Sequence, residues 1–338
     1  MATENGGFNL RDLAKKLAIS MLIGIAVLVG LGFFMTDYRV SEVLHFFSVK
    51  VLFIVVLICL ANYLLRFLKW HFFLWRLGIE IDIKESLLIF LSGLALSPTP
   101  ARSGELIKIY WLNRYNQTAA SISGPVVVAE WITDSISAVI LAGVGVNAFE
   151  YGAEVLVLVG LMLMLLILVI ENEKLAYRIL WLLERVRIFR RFSARLTYVY
   201  QTAAQLMGFK NLAISTLISL GSWSLEVLAL VYLMQSINAP ISFSQAAFVF
   251  CFATTVGIIT MVPGGLAVVE GGMVGLLLLL SVPRSEAVLG TIVIRSGTLW
   301  LGVLMGIVCL GVLLNRYFGW GVCKQKRDVQ PRDERMEG

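Results

Sequence analysis

The chain has 338 residues, 59% of them hydrophobic and only 15% charged, with a net charge of +6 and a mean hydropathy of +0.85. A composition so apolar excludes a water-soluble globular domain and makes lipid the solvent of the fold. The four cysteines show neither a CxxC spacing nor a Cys/His set, which excludes a disulfide framework and a zinc site; no cofactor and no nucleic-acid partner is called for.

The first 16 residues are read as a cytoplasmic N-terminus, in which Arg11, Lys15 and Lys16 precede an apolar run. That run is too long for a signal core and has no small-residue cleavage site after it, so it is read as an anchor. Crossing roughly 30 Å of hydrocarbon takes about 20 apolar residues. Six runs qualify, near 17–36, 49–68, 119–146, 153–170, 211–236 and 287–314.

Two further apolar segments, 86–115 and 244–281, are broken near the middle by Pro98, Pro100 and Gly104, and by Pro263, Gly264 and Gly265. Each half is too short to cross, so both are read as re-entrant helical hairpins, with a proline-kinked spanning helix as the alternative. Open backbone at that depth survives only inside protein or water. Cys59 and Cys309 fall in spans, Cys251 in a hairpin and Cys323 in the tail.

Between the fourth and fifth runs, residues 172–207 place Leu175, Ile179, Leu182, Leu183 and Val186 at helical spacing among many Lys and Arg. This reads as amphipathic helix at the cytoplasmic interface, close to anionic headgroups; a basic loop required by topology alone is the plainer alternative. Residues 316–338 form a charged cytoplasmic tail.

The two broken segments match each other without a gap. LALSPTPARSGELIKIYW and GIITMVPGGLAVVEGGMV place Pro98 and Pro263, then Glu105 and Glu270, then Glu130 and Arg295, at one constant offset. Broken apolar segments at corresponding positions of two halves point to a transporter's binding site. Charge placement tests the topology, because cytoplasmic loops are rich in Lys and Arg. With the N-terminus inside, only Arg39, Lys50 and Arg284 of the 28 Lys and Arg fall outside, and Arg102 and Arg295 fall in the membrane. All others, Arg66, Lys69 and Lys108 included, count as cytoplasmic. The expected fold is an all-α polytopic membrane protein: six transmembrane helices plus two re-entrant hairpins in an inverted-topology repeat. One transmembrane domain spans 17–315, with repeats near 17–147 and 153–315 and both termini cytoplasmic.

Seven ionisable residues sit at membrane depth: Arg102, Glu105, Glu130, Asp134, Glu226, Glu270 and Arg295. At roughly 3 kcal/mol each, exposing them all to lipid would cost on the order of 20 kcal/mol, so they face inward. Five acids against two arginines cannot all be neutralised one to one. Glu130 and Asp134, four apart, share a helix face with Ser123, Thr133 and Ser137. That face suits a proton carrier or a partner for a cation, or else a structural ion pair with Arg102 or Arg295. Arg295 offers a planar fork for a lipid phosphate, or simply neutralises Glu130 or Glu270. In the first tip, Arg102, Ser103 and Glu105 stand where a helix N-terminus favours anions. Glu226 follows a stripe of Ser215, Ser219 and Ser222 and is either a cavity-lining or a packing residue. Gly264, Gly265, Gly271 and Gly272 around Glu270 suggest close backbone approach. Tyr63, Trp70, Trp75, Tyr110, Trp111 and Trp320 are read as interfacial anchors without chemistry.

The motifs PTPARSGELIKIYW and AEWITD, then VPGGLAVVEGG and IRSGTLWLG, resemble the lysylphosphatidylglycerol synthase transmembrane-region family, the flippase half of multiple peptide resistance factor proteins. The resemblance covers about residues 15–315 and rests on Pro100, Arg102, Gly104, Glu105, Pro263, Gly264 and Glu270. It implies movement of an aminoacylated phosphatidylglycerol or another polar lipid between leaflets. The full-length factors carry a synthase domain after the membrane region, which this sequence does not show, so phospholipid and isoprenoid-linked lipid both stay open as substrate. A separate lipid-synthesising enzyme and a second copy of the chain are the partners this implies. Two other readings are an intramembrane polyprenyl-diphosphate phosphatase-like enzyme, which SPTPARSGE and EWITD loosely resemble, and a non-transporting scaffold subunit.

Overall fold

The computed structural model describes residues 48–99, 105–149, 152–172, 174, 176–178, 193–260, 262 and 265–318, together with Gly30. The expected first span, the charged tail from 319 onward, Arg102 and Ser103 at the first tip, and most of the basic segment 172–192 lie outside the described residues.

All regular structure among the described residues is helical. In chain order the helices are α1 (Val49–Arg76), α2 (Ile83–Leu94), α3 (Ile107–Asn116), α4 (Ala120–Gly145), α5 (Gly152–Glu171), α6 (Ser193–Met207), α7 (Phe209–Ser236), α8 (Phe243–Ile259), α9 (Val268–Leu279), α10 (Arg284–Arg295) and α11 (Leu301–Phe318). A π-helical turn, Ser296–Trp300, joins the last two into one rod. Four of these, α1, α4, α7 and the α10–α11 rod, are long and apolar enough to cross a bilayer. At 1.5 Å per residue, α2, α3, α8 and α9 are too short to do so, as their broken sequences require.

The same order of elements occurs twice. α1 and α7 are both 28 residues long and start 160 positions apart. Each ends in the same reversal: Gly78 and Asn238 take positive φ (67° and 57°), and the next amides, of Ile79 and Ala239, donate back to Leu74 O and Met234 O at 3.0 Å. Gly and Asn are the residues that tolerate this left-handed cap. The next helix is then opened by a side-chain cap, Asp82 accepting from Lys84 N and Ser242 from Gln245 N.

Packing between the two sets is reciprocal. α1 lies against α7, α2 packs on α11, and α8 packs on α4, so the first short helix of each set leans on the last long helix of the other. Where α1 meets α7, two equivalent residues touch: Asn62 donates to the carbonyl and hydroxyl oxygens of Ser222 at 2.8 and 3.1 Å. The α2–α11 contact depends on Gly306, where a side chain would overlap the backbone of Ala95 and approach Leu91 O to 2.8 Å.

Two expectations change. Trp70 and Trp111 are fully buried, and Tyr63 nearly so: all three pack in one apolar cluster between helices, which Trp70 joins because α1 continues eight residues past its expected end. They are not interfacial anchors. Gly271 has nothing near its Cβ position, whereas Gly265 and Gly272 do sit at close approaches, to Val269 and Ala253. Within the basic segment, α6 packs against α4 and buries Leu206 and Met207, so at least this helix belongs to the helical core.

Candidate functional site: a buried charge network around a central cavity

Helical spacing on α1 sets Asn62, Tyr63, Arg66, Lys69 and Trp70 along one face. On α4, Glu130, Thr133, Asp134 and Ser137 form another, and all four are buried. The two faces meet at Lys69, which is only 1% exposed. Its ammonium donates to Asp134 Oδ1 at 2.5 Å and Ser219 Oγ at 2.7 Å, with Thr133 Oγ1 at 3.3 Å and the Glu130 carbonyl at 3.4 Å. Asp134 also accepts from the Ser219 hydroxyl at 3.0 Å and, on its other oxygen, from Arg66 Nη2 at 3.2 Å.

A second cluster adjoins the first. Lys108 of α3, 2% exposed, donates to Glu130 Oε2 at 2.7 Å and stands 3.5 Å from Glu105 Oε2. Its ammonium lies over the rings of Trp70 and Phe90, 4.6 and 5.6 Å from their centroids, a cation–π arrangement that offsets part of its desolvation. Space for its stem comes from Gly93, whose Cβ would lie 2.8 Å from Lys108 Cγ.

In the second half, Arg295 Nε donates to Glu270 Oε1 at 2.7 Å. Glu270 is wholly buried, and its Oε2 has no hydrogen-bond partner among the described residues. The π-helical turn follows Arg295 directly, and the carbonyl of Gly297 within it accepts from the Tyr63 hydroxyl at 3.0 Å.

Between the broken units lies a cavity of about 60 Å³, room for a handful of water molecules. Arg66 and Glu105 line it from the first half and Glu226 and Arg295 from the second, with Ser97, Thr99, Thr254 and Thr298 supplying hydroxyls. Of the expected site residues, then, Glu105, Glu226 and Arg295 reach the cavity. Glu130, Asp134 and Glu270 are not among its lining and sit buried in ion pairs.

The pairing differs from expectation in its partners. Glu130 and Asp134 answer Lys108, Lys69 and Arg66, while Arg295 neutralises Glu270, one of the two partners expected for it. The shortage of cations disappears, because Arg66, Lys69 and Lys108 are part of the buried network and not cytoplasmic loop charges. Their signal was present as Arg66 and Lys69 three apart on the α1 face, and as Lys108 three after Glu105. The duplicated positions keep their contact in both halves: Glu270 bonds Arg295 directly, while the equivalent Glu105 and Glu130, both acidic, are bridged by Lys108.

Residues 21–306 match the family model described as the lysylphosphatidylglycerol synthase TM region. Among similar proteins are two UPF0104 membrane proteins of Methanothermobacter thermautotrophicus. One is 25% identical across 93% of this chain and 98% of its own length, the other 24% identical across 86% and 90%. A UPF0104 membrane protein of Pyrococcus horikoshii is 23% identical across 89% of this chain and 98% of its own.

Proposed function

The chain belongs to the lysylphosphatidylglycerol synthase TM-region family, and we propose that it is a transbilayer translocase of a polar or anionic lipid. The headgroup passes through the central polar cavity while the acyl chains stay in the bilayer, and no covalent step is required. One observation carries this reading: a small polar cavity whose wall takes one acid and one arginine from each of the two sets of helices.

Burying these ionic groups for packing alone has cheaper apolar alternatives, and ionisable groups at membrane depth mark transport paths by default. In this reading α2–α3 and α8–α9 are re-entrant hairpins that enter from opposite faces, and the two sets of helices form an inverted-topology repeat able to open to either side. The recurrent helix lengths and the reciprocal packing of α2 on α11 and α8 on α4 support it. A cavity of about 60 Å³ is smaller than a phospholipid headgroup, so in this reading passage needs the two hairpins to part.

The test is reconstitution in liposomes with headgroup-labelled phosphatidylglycerol and, in parallel, a polyprenyl phosphate, reading the leaflet distribution by quenching of the outer label. The wild-type protein is expected to redistribute one of them. The double exchange Glu270→Gln with Arg295→Gln, which keeps a hydrogen-bonded neutral pair, is expected to slow that redistribution at least tenfold with the fold retained. Redistribution of neither lipid, or full activity of the double variant, counts against the proposal.

A further inference from the structure

Arg66 holds a position different from the other buried cations. Lys69 and Lys108 are enclosed by acceptors, whereas the Arg66 side chain is 16% exposed and lies on the cavity wall. Of the five N–H donors that a guanidinium carries, one is committed to Asp134, at 3.2 Å, and among the described residues no other hydrogen bond fixes it. Asp134 in turn does not depend on Arg66. It already accepts from Lys69 at 2.5 Å and Ser219 at 3.0 Å, both shorter than its 3.2 Å contact with Arg66.

We propose that Arg66 is the residue that receives the phosphate ester of the headgroup, exchanging its single bond to Asp134 for a forked pair of bonds to phosphate oxygens; this rests on the translocase reading above. A planar guanidinium matches two phosphate oxygens at once, and the exchange leaves Asp134 compensated, because Lys69 stays on it. Arg295, the other guanidinium on the wall, is anchored through Nε to Glu270 at 2.7 Å and is the static member of the two. The second half repeats the position without the function: the residue equivalent to Arg66 on α7 is Glu226, so the phosphate end of the headgroup is placed on the first-half side of the cavity. The charge count places Arg66 on the cytoplasmic side, at the end of the 49–68 run.

The experiment uses calorimetric titration of the purified full-length chain in detergent with three probes: dihexanoyl phosphatidylglycerol, inorganic phosphate, and dihexanoylglycerol, which lacks the phosphate. The wild type is expected to bind the phospholipid. Arg66→Gln is expected to weaken that binding at least tenfold while leaving dihexanoylglycerol unchanged, and Arg66→Lys, which keeps the charge but loses the fork, falls between. Weaker binding of inorganic phosphate that shows the same loss marks the phosphate itself as the recognised group; phosphate binding tighter than the phospholipid makes the site one for the free anion and overturns the headgroup assignment. Equal loss for phospholipid and dihexanoylglycerol, or full rescue by Arg66→Lys, reduces Arg66 to a counter-ion of Asp134 and overturns the inference. No binding of any probe by the wild type instead counts against the cavity as a headgroup site at all.

Discussion

Lys69 shows how a residue's role changes with the length of the helix that carries it. Sequence periodicity ends the run near residue 68, where a lysine reads as the first loop charge, but α1 continues to Arg76, and those two extra turns turn Lys69, Trp70 and Phe73 inward. Apolar counting stops early there because Lys69, His71 and Arg76 interrupt the continuation, LKWHFFLWR; its buried side is apolar apart from the lysine. Removing one partner of a buried pair strands the other charge, which costs about 3–5 kcal/mol, whereas replacing both by apolar groups is often neutral. Asp134→Ala is therefore expected to lower stability by about 3–5 kcal/mol, read as a fall in melting temperature in detergent. Lys69→Met combined with Asp134→Leu is expected to recover most of it while leaving transport impaired. A double variant as unstable as the single one would mean that the pair supplies stability directly and not only a local charge balance. The acids were legible because a carboxylate in mid-run has no apolar excuse. Their lysine partners were not, since a lysine's long stem lets it be written off as reaching for the interface.

At the scale of elements, the broken helices were legible because proline and glycine interrupt them, and the structure places α2–α3 and α8–α9 within a few residues of the expected segments. What the sequence did not reveal is the π-helical turn after Arg295, for its extra residue per turn has no distinctive side-chain pattern. It widens the rod where Tyr63 reaches the Gly297 carbonyl, beside the cavity. Glycines separate by what surrounds them. Gly306 faces the Ala95 backbone, which has nowhere to move, while Gly271, in α9, meets nothing within 4 Å. One substitution thus has opposite signs at two places. Gly306→Ala is expected to destabilise by about 1–3 kcal/mol through overpacking and to lower transport by prising α11 from α2. Gly271→Ala is expected to be neutral or to gain up to about 1 kcal/mol from helix propensity. Thermal melts of the two variants side by side check the contrast, and equal destabilisation would place the α2–α11 contact elsewhere.

For the whole molecule, the arrangement turns on whether the two sets of helices face opposite ways across the bilayer. The matching broken segments point to duplication but carry no direction, so orientation rests on the count of positive loops, and that count loses Arg66, Lys69 and Lys108 to the interior. The geometry offers an independent route. The α1–α2 turn and the α7–α8 turn are equivalent, with Glu80 and Pro240 exposed at matching positions, and in an inverted repeat these two turns lie on opposite sides. Single cysteines at the two sites, in a chain whose own four cysteines are changed to alanine, give a direct reading with a membrane-impermeant maleimide on right-side-out vesicles. Pro240→Cys is expected to label without permeabilisation and Glu80→Cys only after it. Labelling of both from one side would make the repeats parallel, place both hairpins on the same face and leave the cavity no means of opening alternately. A reversed pattern would keep the inversion and exchange inside for outside, because alternating access depends on the opposition of the two halves and not on which of them faces the cytoplasm.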